Sequence, residues 1–249
     1  MTTTTAPLSI QLYTVREQLA VDPAATFERL REIGFTTVEL FGLVQYTAVY
    51  TDLPLYGLAA SSAHVPLVDA DVVPVFEAAQ AIGVTTLIHP LTEASRWTTG
   101  DDIAAIADEL NRVSAIAADI GITVGYHNHA WELESRVDGT TGLEVLADLL
   151  DPAVVLEVDT YWAAVGGADP VALLERLGDR VQLLHIKDGP ITKNDLDQVA
   201  VGGGRMPVPE ILAAAPQAIR VVELDDFDGD IFSAVADSAA YLVSLGEHL

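Results

Sequence analysis

The chain has 249 residues, half of them hydrophobic, and a formal net charge of −25 at pH 7. A surface this acidic repels the phosphates of nucleic acids and anionic lipids, which argues against nucleic-acid and membrane partners. The chain contains no cysteine, which excludes disulfides, thiolate nucleophiles and zinc sites built from cysteine.

Short β-branched runs alternate with amphipathic helical patterns from end to end. Strands are predicted at 8–13, 36–41, 58–64, 85–90, 122–129, 154–162, 181–188 and 219–226. Helices are predicted at 22–34, 69–83, 99–121, 140–150, 169–178, 208–215 and 230–246. The weak segment is 42–56, where a second helix is expected. Its many β-branched and aromatic residues predict a short or irregular element instead.

This alternation predicts an α/β fold. Strands that alternate with helices once per roughly 25–35 residues form parallel βαβ units. Eight such units predict a single (β/α)8 TIM barrel over residues 1–249. An open doubly wound sheet is the competing fold, and it often carries a glycine-rich loop after its first strand. Here that strand runs into QLYTVREQL, which has no glycine.

The N-terminal sequence MTTTTAPLSIQLY lacks the basic region and the long apolar run of a signal peptide. No apolar run in the chain is long enough to span a bilayer. We therefore predict a cytoplasmic protein.

Four strands in the second half of the chain end in side chains that can bind a metal. Residues two apart on a strand share a face, which pairs His127 with His129, Glu157 with Asp159, His185 with Lys187, and Glu223 with Asp225. The carboxyl ends of barrel strands converge on one mouth. We therefore expect these side chains to form one site.

Asp159 and His185 are candidate metal ligands. A carboxylate in an otherwise buried strand is costly unless it is paired or bound to a metal, and imidazole is a common ligand for zinc and manganese. The structural alternatives are a helix cap or salt bridge for Asp159 and a core histidine for His185. Glu157 lies one layer deeper, where we expect it to orient a ligating histidine.

The remaining polar strand ends suggest catalytic and substrate contacts. Lys187 is expected to bind a substrate oxygen or to carry a proton, and Glu223 to act as ligand, general base or both. Of His127 and His129, we expect one to face the substrate or to support a ligand.

Less specific candidates lie near the ends of the N-terminal strands: Gln11, Tyr13, Glu39, His64 and His89. His64 and His89 can donate hydrogen bonds to substrate hydroxyls, with a structural role as the alternative.

Two further features suggest substrate contacts. Trp131 and Trp162 follow polar strand ends, and Trp162 suits a pocket wall that stacks on a sugar ring. Gly202-Gly203-Gly204 precedes a predicted helix and is followed by Arg205, which together suggest an anion site. A flexible loop before the helix is the alternative.

At these residues the chain resembles the sugar phosphate isomerase/epimerase family, which has a xylose isomerase-like barrel. The motifs that carry the resemblance are GYHNHAWELE (125–134), LEVDTYW (156–162), LLHIKD (183–188) and VVELDD (221–226). The resemblance implies one divalent metal, with His127, Asp159, His185 and Glu223 as ligands by position. Mixed histidine and carboxylate ligands favour Mn²⁺ or Zn²⁺, with Co²⁺ and Mg²⁺ as alternatives.

The sequence departs from this family at strand five, where His127 replaces the usual glutamate. The ketose 3-epimerases that it resembles use two glutamates on opposite faces of the substrate carbon. This chain keeps only the counterpart Glu223, so the second base would be Glu157, His129 or another group. The HNH sequence is similar to branches that act on oxidised sugars or glycosides.

The resemblance implies a metal-dependent isomerase or epimerase that converts a small keto-sugar or sugar derivative through an enediolate. A lyase with the same site is the first alternative, either inosose dehydratase-like or eliminating the β-substituent of a 3-keto-glycoside. A non-catalytic sugar-binding barrel is the second. The partner in each case is a small-molecule sugar. A homodimer is only the general expectation for soluble proteins.

Overall fold

The structure is a computed structural model that describes residues 6–249. Residues 1–5 belong to the segment that argued against a signal peptide, and they lie outside the described residues. The barrel strands β1 to β8 are Ser9–Gln11, Thr37–Leu40, Ala59–His64, Thr86–His89, Thr123–His127, Val155–Asp159, Val181–Ile186 and Ile219–Val222. Each strand pairs in parallel with the next, and β8 pairs with β1. The predicted eight-stranded barrel is confirmed.

The helices lie between the strands. Their bounds are Arg16–Val21, Pro23–Ile33, Thr47–Tyr50, Val73–Ile82, Gly100–Ala118, Trp131–Glu134, Gly142–Leu149, Thr160–Val165, Pro170–Leu177, Val208–Ala214 and Ile231–Ser244. The weak segment 42–56 holds only a short helix and the 3-10 turn Leu53–Tyr56, as its composition predicted. Among residues 6–249, no helix is both long and apolar enough to cross a membrane.

Three short helices and a hairpin were not predicted from the sequence. The helices Arg16–Val21, Trp131–Glu134 and Thr160–Val165 follow directly on strand-end segments, where the chain is too short for a clear helical period. The hairpin pairs Arg136–Val137 with Thr140–Thr141. Several predicted strands end earlier than expected, so His129, Lys187 and Glu223 lie in the loops just beyond β5, β7 and β8.

The lower interior of the barrel is apolar. Ile88, Leu183 and Val221 are buried there and pack against one another. Gly125 makes room for them, because a Cβ atom at this position would lie 2.5 Å from Ile88 Cδ1 and 2.9 Å from Val155 Cγ2. This closed floor leaves the upper interior, at the carboxyl ends of the strands, as the place where inward-facing polar side chains gather.

Candidate metal and substrate site

Polar side chains from six strands meet above the apolar floor. The strand register sets their level: His127 lies beside Glu157, and Asp159 beside His185. All of the following are buried except His64, which is partly exposed: Glu39, His64, His127, Glu157, Asp159, His185, Lys187 and Glu223. The expectation that the four C-terminal strand ends converge holds for these residues.

His185 lies at the centre of this group. Its Nδ1 is 2.6 Å from Glu223 Oε2, and its Nε2 is 2.6 Å from Glu39 Oε1. Burial acts to lower the pKa of His185, but the charges of Glu157, Glu223 and Glu39 outweigh it and raise the pKa well above its usual range. A metal ligand must be the neutral imidazole, so binding of an ion by His185 would release a proton.

Glu157 contacts three histidines. Its Oε2 lies 2.5 Å from His64 Nε2, 3.0 Å from His127 Nδ1 and 3.2 Å from His185 Nε2. Burial, followed by repulsion from Glu39, raises the pKa of Glu157 to about 7. The same burial lowers the pKa of His127 well below its usual range. His127 is therefore neutral and able to ligate.

Glu39 was only a minor candidate in the sequence, yet it is fully buried within this group. It accepts hydrogen bonds from Gln11 Nε2, at 2.8 Å, and from the Ser62 hydroxyl. Burial acts to raise the pKa of Glu39, but the charges of His64 and His185 lower it to about 2. The only sequence signal for this role was its position near the end of β2.

Lys187 is surrounded by carboxylates. Its Nζ lies 2.9 Å from Asp159 Oδ2, 2.8 Å from Glu223 Oε2 and 2.7 Å from Asp225 Oδ2. Burial acts to lower the pKa of Lys187, but these three acids raise it well above its usual range. The buried ammonium therefore stays charged and neutralises part of the acidic group. Asp225, which the sequence paired with Glu223 on one strand face, is a main partner of this lysine.

The helix-cap alternative for Asp159 is also realised. Its Oδ1 accepts a hydrogen bond of 2.8 Å from Trp162 N, at the start of the helix Thr160–Val165. Its Oδ2 lies near Lys187 but accepts no hydrogen bond of good geometry, and Glu157 Oε1 also lacks a partner. Buried oxygens are nearly always paired in folded proteins, so Glu157 Oε1 is available for a cation, whereas Asp159 Oδ2 already faces the Lys187 ammonium.

The residues present fit a divalent metal ion. Two groups have ligand atoms that all lie within 4.8 Å of one another: His64, His127, Glu157 and His185, and Asp159, His185 and Glu223. The predicted ligand set is thus divided between the two groups, with His185 in both. His127 Nε2 lies 3.9 Å from Asp159 Oδ2, which brings the groups together. This mixture of imidazole and carboxylate donors suits manganese, zinc and related ions.

A cavity of about 530 Å³, here called the deep cavity, opens above the polar group. His64, His127, His129, Trp162 and Glu223 are among the residues that line it. Its volume is within the usual range of small-molecule sites. Trp131 lies beside this cavity rather than in its wall, with its ring stacked on that of His129 at a centroid distance of 4.5 Å.

His129 is a neutral group facing this cavity. Burial, followed by the charge of Lys187, lowers the pKa of His129 to about 4. Its Nδ1 is buried and has no hydrogen-bond partner. A neutral imidazole in the cavity wall can accept a proton from a bound molecule.

His89 does not line the cavity, which corrects its predicted role in substrate binding. Ile88 faces the barrel interior, so the next residue along β4 points to the opposite face. His89 Nδ1 accepts a hydrogen bond of 3.1 Å from Leu67 N, and its Nε2 lies 3.1 Å from Thr92 Oγ1. Both ring nitrogens therefore form contacts within the barrel wall, which agrees with the structural role given above as the alternative for His89.

Arg205 is exposed and does not line the deep cavity, which corrects its predicted substrate contact. Several backbone N–H groups around Gly202, Gly203 and Gly204 are not left open for an external anion. The Asp188 carboxylate accepts hydrogen bonds from the backbone of Gly189, Gly202 and Met206, at 2.8 to 3.0 Å. A Cβ atom on Gly204 would clash with Asp188 Oδ1 at 2.1 Å. The glycines therefore pack the loop around this acid.

Comparisons with known protein sequences and structures point to the same barrel fold. The sequence model of the xylose isomerase-like TIM barrel family matches residues 70–219. An inosose dehydratase from Geobacillus kaustophilus is 32% identical over 151 residues, which cover 57% of this chain and 48% of that protein. The match therefore spans about half the length of that curated relative.

Solved structures extend the similarity to nearly the whole chain. A sugar phosphate isomerase/epimerase from Parabacteroides distasonis is 28% identical, with a TM-score of 0.81 over 97% of this chain and 95% of that chain. The IolI protein, whose crystal structure holds a zinc atom, has a TM-score of 0.70 over 96% of this chain and 98% of that one. Its identity is 16%, so this likeness shows the shared fold alone.

Proposed function

Because the chain belongs to the xylose isomerase-like TIM barrel family, we propose that it is a metal-dependent enzyme acting on a keto-sugar or another sugar derivative that carries a carbonyl group. The reaction begins with removal of the proton beside a carbonyl group, to give an enediolate. The observation that carries the proposal is the buried group of histidines and carboxylates at the barrel mouth. Within this group, Glu157 Oε1 has no hydrogen-bond partner, and Asp159 Oδ2 faces the Lys187 ammonium.

The residues that would hold the ion are the predicted ligands Asp159, His185, Glu223 and His127, with Glu157 beside them. A bound divalent ion would polarise a substrate carbonyl and make the neighbouring C–H more acidic. The zinc in the IolI protein supports a metal of this kind in the same fold. Manganese and zinc are the proposed ions, with cobalt and magnesium as alternatives.

The chain's own residues supply the proton transfer. His129 is the base that we favour, because burial keeps its imidazole neutral and the residue lines the deep cavity. Burial acts to raise the pKa of Glu223, but Lys187 and His185 lower it well below its usual range. A Glu223 oxygen lies within 4.8 Å of the ligand atoms of Asp159 and His185, so we assign Glu223 as a metal ligand. Lys187 holds the carboxylates in place, and His64 and Trp162 contact the sugar.

Proton removal can lead to two kinds of product. Return of the proton to another carbon or face gives isomerisation or epimerisation, in which the mass is conserved. Loss of a group from the β-carbon gives elimination. Elimination is the second candidate, because the curated relative from Geobacillus kaustophilus is an inosose dehydratase. The non-catalytic alternative receives less support, because a sugar site alone needs no buried ligand group.

The first test is elemental analysis of protein purified without added metal or chelator. We expect about one manganese, zinc or cobalt per chain, and none in the double variant Asp159→Ala, His185→Ala. A folded wild-type protein that stays free of metal after reloading would contradict the proposal.

The second test incubates the metal-loaded protein with keto-sugars and inososes in D₂O. Deuterium at a carbon beside the carbonyl indicates proton removal. Mass spectrometry of the products then separates isomerisation from elimination, since only elimination releases water or another group.

A further inference from the structure

A second cavity, of about 300 Å³, adjoins the deep cavity. We call it the side cavity. His129, Trp162 and Asp195 line both spaces, so the two meet along this wall. The side cavity is completed by Ala130, Trp131, Glu134 and Lys193. A molecule held in the deep cavity can therefore extend into it.

The deep cavity is unsuited to an anionic substrate. Its lining residues include four acids, Asp195, Glu223, Asp225 and Asp226, and among the described residues Arg16 is the only lysine or arginine that lines it. Arg16 Nη1 already donates to the Asp225 carbonyl, at 2.8 Å. A phosphate monoester carries a charge of about −1.5 to −2 at neutral pH and would be repelled.

A bound metal ion would not remove this repulsion. Asp195 and Asp226 belong to neither group of metal-ligand candidates, so an ion held by those groups would leave both of these acids unliganded. In the side cavity, Lys193 is paired with Glu134 at 2.5 Å, which leaves little positive charge for a phosphate. Both spaces thus favour an uncharged ligand.

The wall between the cavities is aromatic and held in place. Trp131 Nε1 donates a hydrogen bond of 3.1 Å to the Thr92 carbonyl, and Trp162 Nε1 donates one of 3.1 Å to Asp225 Oδ2. Both indoles are half-buried. Rings fixed at one edge offer their faces at little entropic cost, and these faces suit stacking against the apolar face of a second ring.

We propose that the substrate is an uncharged glycoside whose reacting sugar ring carries the carbonyl group and lies in the deep cavity, with a second ring in the side cavity against Trp131 and Trp162. This inference rests on the proposed function and narrows its substrate class. The name of the sugar phosphate isomerase/epimerase relative would suggest a phosphorylated substrate, and this inference differs from that. The second ring is either another sugar or an aryl group.

The test titrates manganese-loaded protein with methyl β-glucoside, phenyl β-glucoside, cellobiose and glucose 6-phosphate, and with the galactose counterparts. Calorimetry gives the Kd values. Tryptophan fluorescence reports on the side cavity, because two of the three tryptophans line it and Trp97 is buried elsewhere. We expect a two-ring probe to bind at least about tenfold more tightly than the methyl glycoside, and the phosphate more weakly than either. The stronger of cellobiose and phenyl glucoside identifies the second ring.

Two variants separate the cavities. Trp131→Ala should abolish the tenfold gain and change the Kd of the methyl glycoside much less, although the Trp131 ring also stacks on His129. Tyr13→Ala, which changes only the deep cavity, should weaken both kinds of probe. Trp131→Phe, a milder change, should reduce the gain if the alanine variant does not fold.

Equal Kd values for one-ring and two-ring probes would overturn the inference, as would tightest binding of the phosphate. In either case a sugar still binds, and the proposed function stands. Failure of every probe to bind would also overturn the inference. These probes lack a ketone, so the proposed function is judged separately, by metal content and by deuterium exchange into keto-sugars.

Discussion

The Nε2 atom of His185 lies 2.6 Å from Glu39 Oε1 and joins β7 to β2 across the barrel interior. The other ring nitrogen is held by Glu223. This arrangement fixes the orientation of a proposed metal ligand from two sides. Carboxylates that hold a ligating histidine typically change metal affinity by about 10–100-fold when they are removed.

The variant Glu39→Gln should therefore bind Mn²⁺ about 10–100-fold more weakly than the wild type, because the amide holds the imidazole less firmly. Competition with a chelator measures the Kd. Glu32→Gln changes an exposed glutamate and is the matched control. A folded Glu39→Gln protein with wild-type affinity would contradict a positioning role for Glu39.

Removing the buried ammonium should destabilise the metal-free protein. Lys187→Met leaves Asp159, Glu223 and Asp225 without their cation, and breaking a buried ion pair costs about 3–5 kcal/mol. We expect this loss in urea unfolding with chelator present, and partial recovery on adding Mn²⁺, since an ion supplies the missing charge. Lys193→Met, at an exposed ion pair, is the control and should change little. Equal losses in the two variants would refute this account.

Metal removal should lower the melting temperature. An ion present at 1,000 times its Kd stabilises the folded state by about 4 kcal/mol, which is about 8–16 °C for a chain of this size. Differential scanning calorimetry with and without chelator measures the shift. The melting temperature of the double variant Asp159→Ala, His185→Ala should not change when the chelator is added. If the melting temperature of the wild type did not change either, the result would argue against the site.

His89 should make stability depend on pH. Burial lowers the pKa of His89 from 6.5 to about 4 in the folded protein. Between these values the unfolded chain binds more protons, so the free energy of unfolding rises with pH. The contribution is complete above pH 6.5 and is lost as the pH falls to about 4, with a total of about 3 kcal/mol.

His89→Gln should therefore be less dependent on pH than the wild type over this window. Urea unfolding at pH 7 and pH 4.5 measures the difference. His248→Gln, which replaces a half-buried histidine near the C-terminus, is the matched control. The same pH dependence in His89→Gln and wild type would show that His89 is not the source.

Gly125→Ala should destabilise the barrel floor by about 1–3 kcal/mol, because its Cβ atom would overlap Ile88 and Val155. Gly100→Ala is the control, since its Cβ atom would meet only Val137 Cγ1, at 3.6 Å. Ile88→Val removes the closest atom, so Gly125→Ala should cost less in that background. Denaturant unfolding of the wild type, Gly125→Ala, Ile88→Val and the double variant measures the coupling between the two positions. If the losses in free energy of unfolding of the two single variants simply add in the double variant, the contact between the new Cβ atom and Ile88 is not the source of the loss.

Much of the fold followed from the sequence by local rules. The alternation of β-branched runs with helical periods predicted eight strands and closed into the expected barrel, because parallel strands joined by helices have few other ways to bury both faces. The prediction also held for the weak segment 42–56, whose residues have low helix propensity. The ends of the strands were predicted less well, since the hydrogen bonds between strands stop before the polar residues at the strand ends, such as His129, Lys187 and Glu223.

The sequence by itself determined which side chains stand at the strand ends, because alternation along a strand fixes relative faces. Only the tertiary structure decided which face is the interior. It turned His89 outward, and it placed Glu39 against His185, although 146 residues separate them in the chain. Closure of the barrel also divided the predicted ligands between two groups and set Lys187 among three acids. These outcomes depend on strand register and on the packing of distant side chains, which no local pattern encodes.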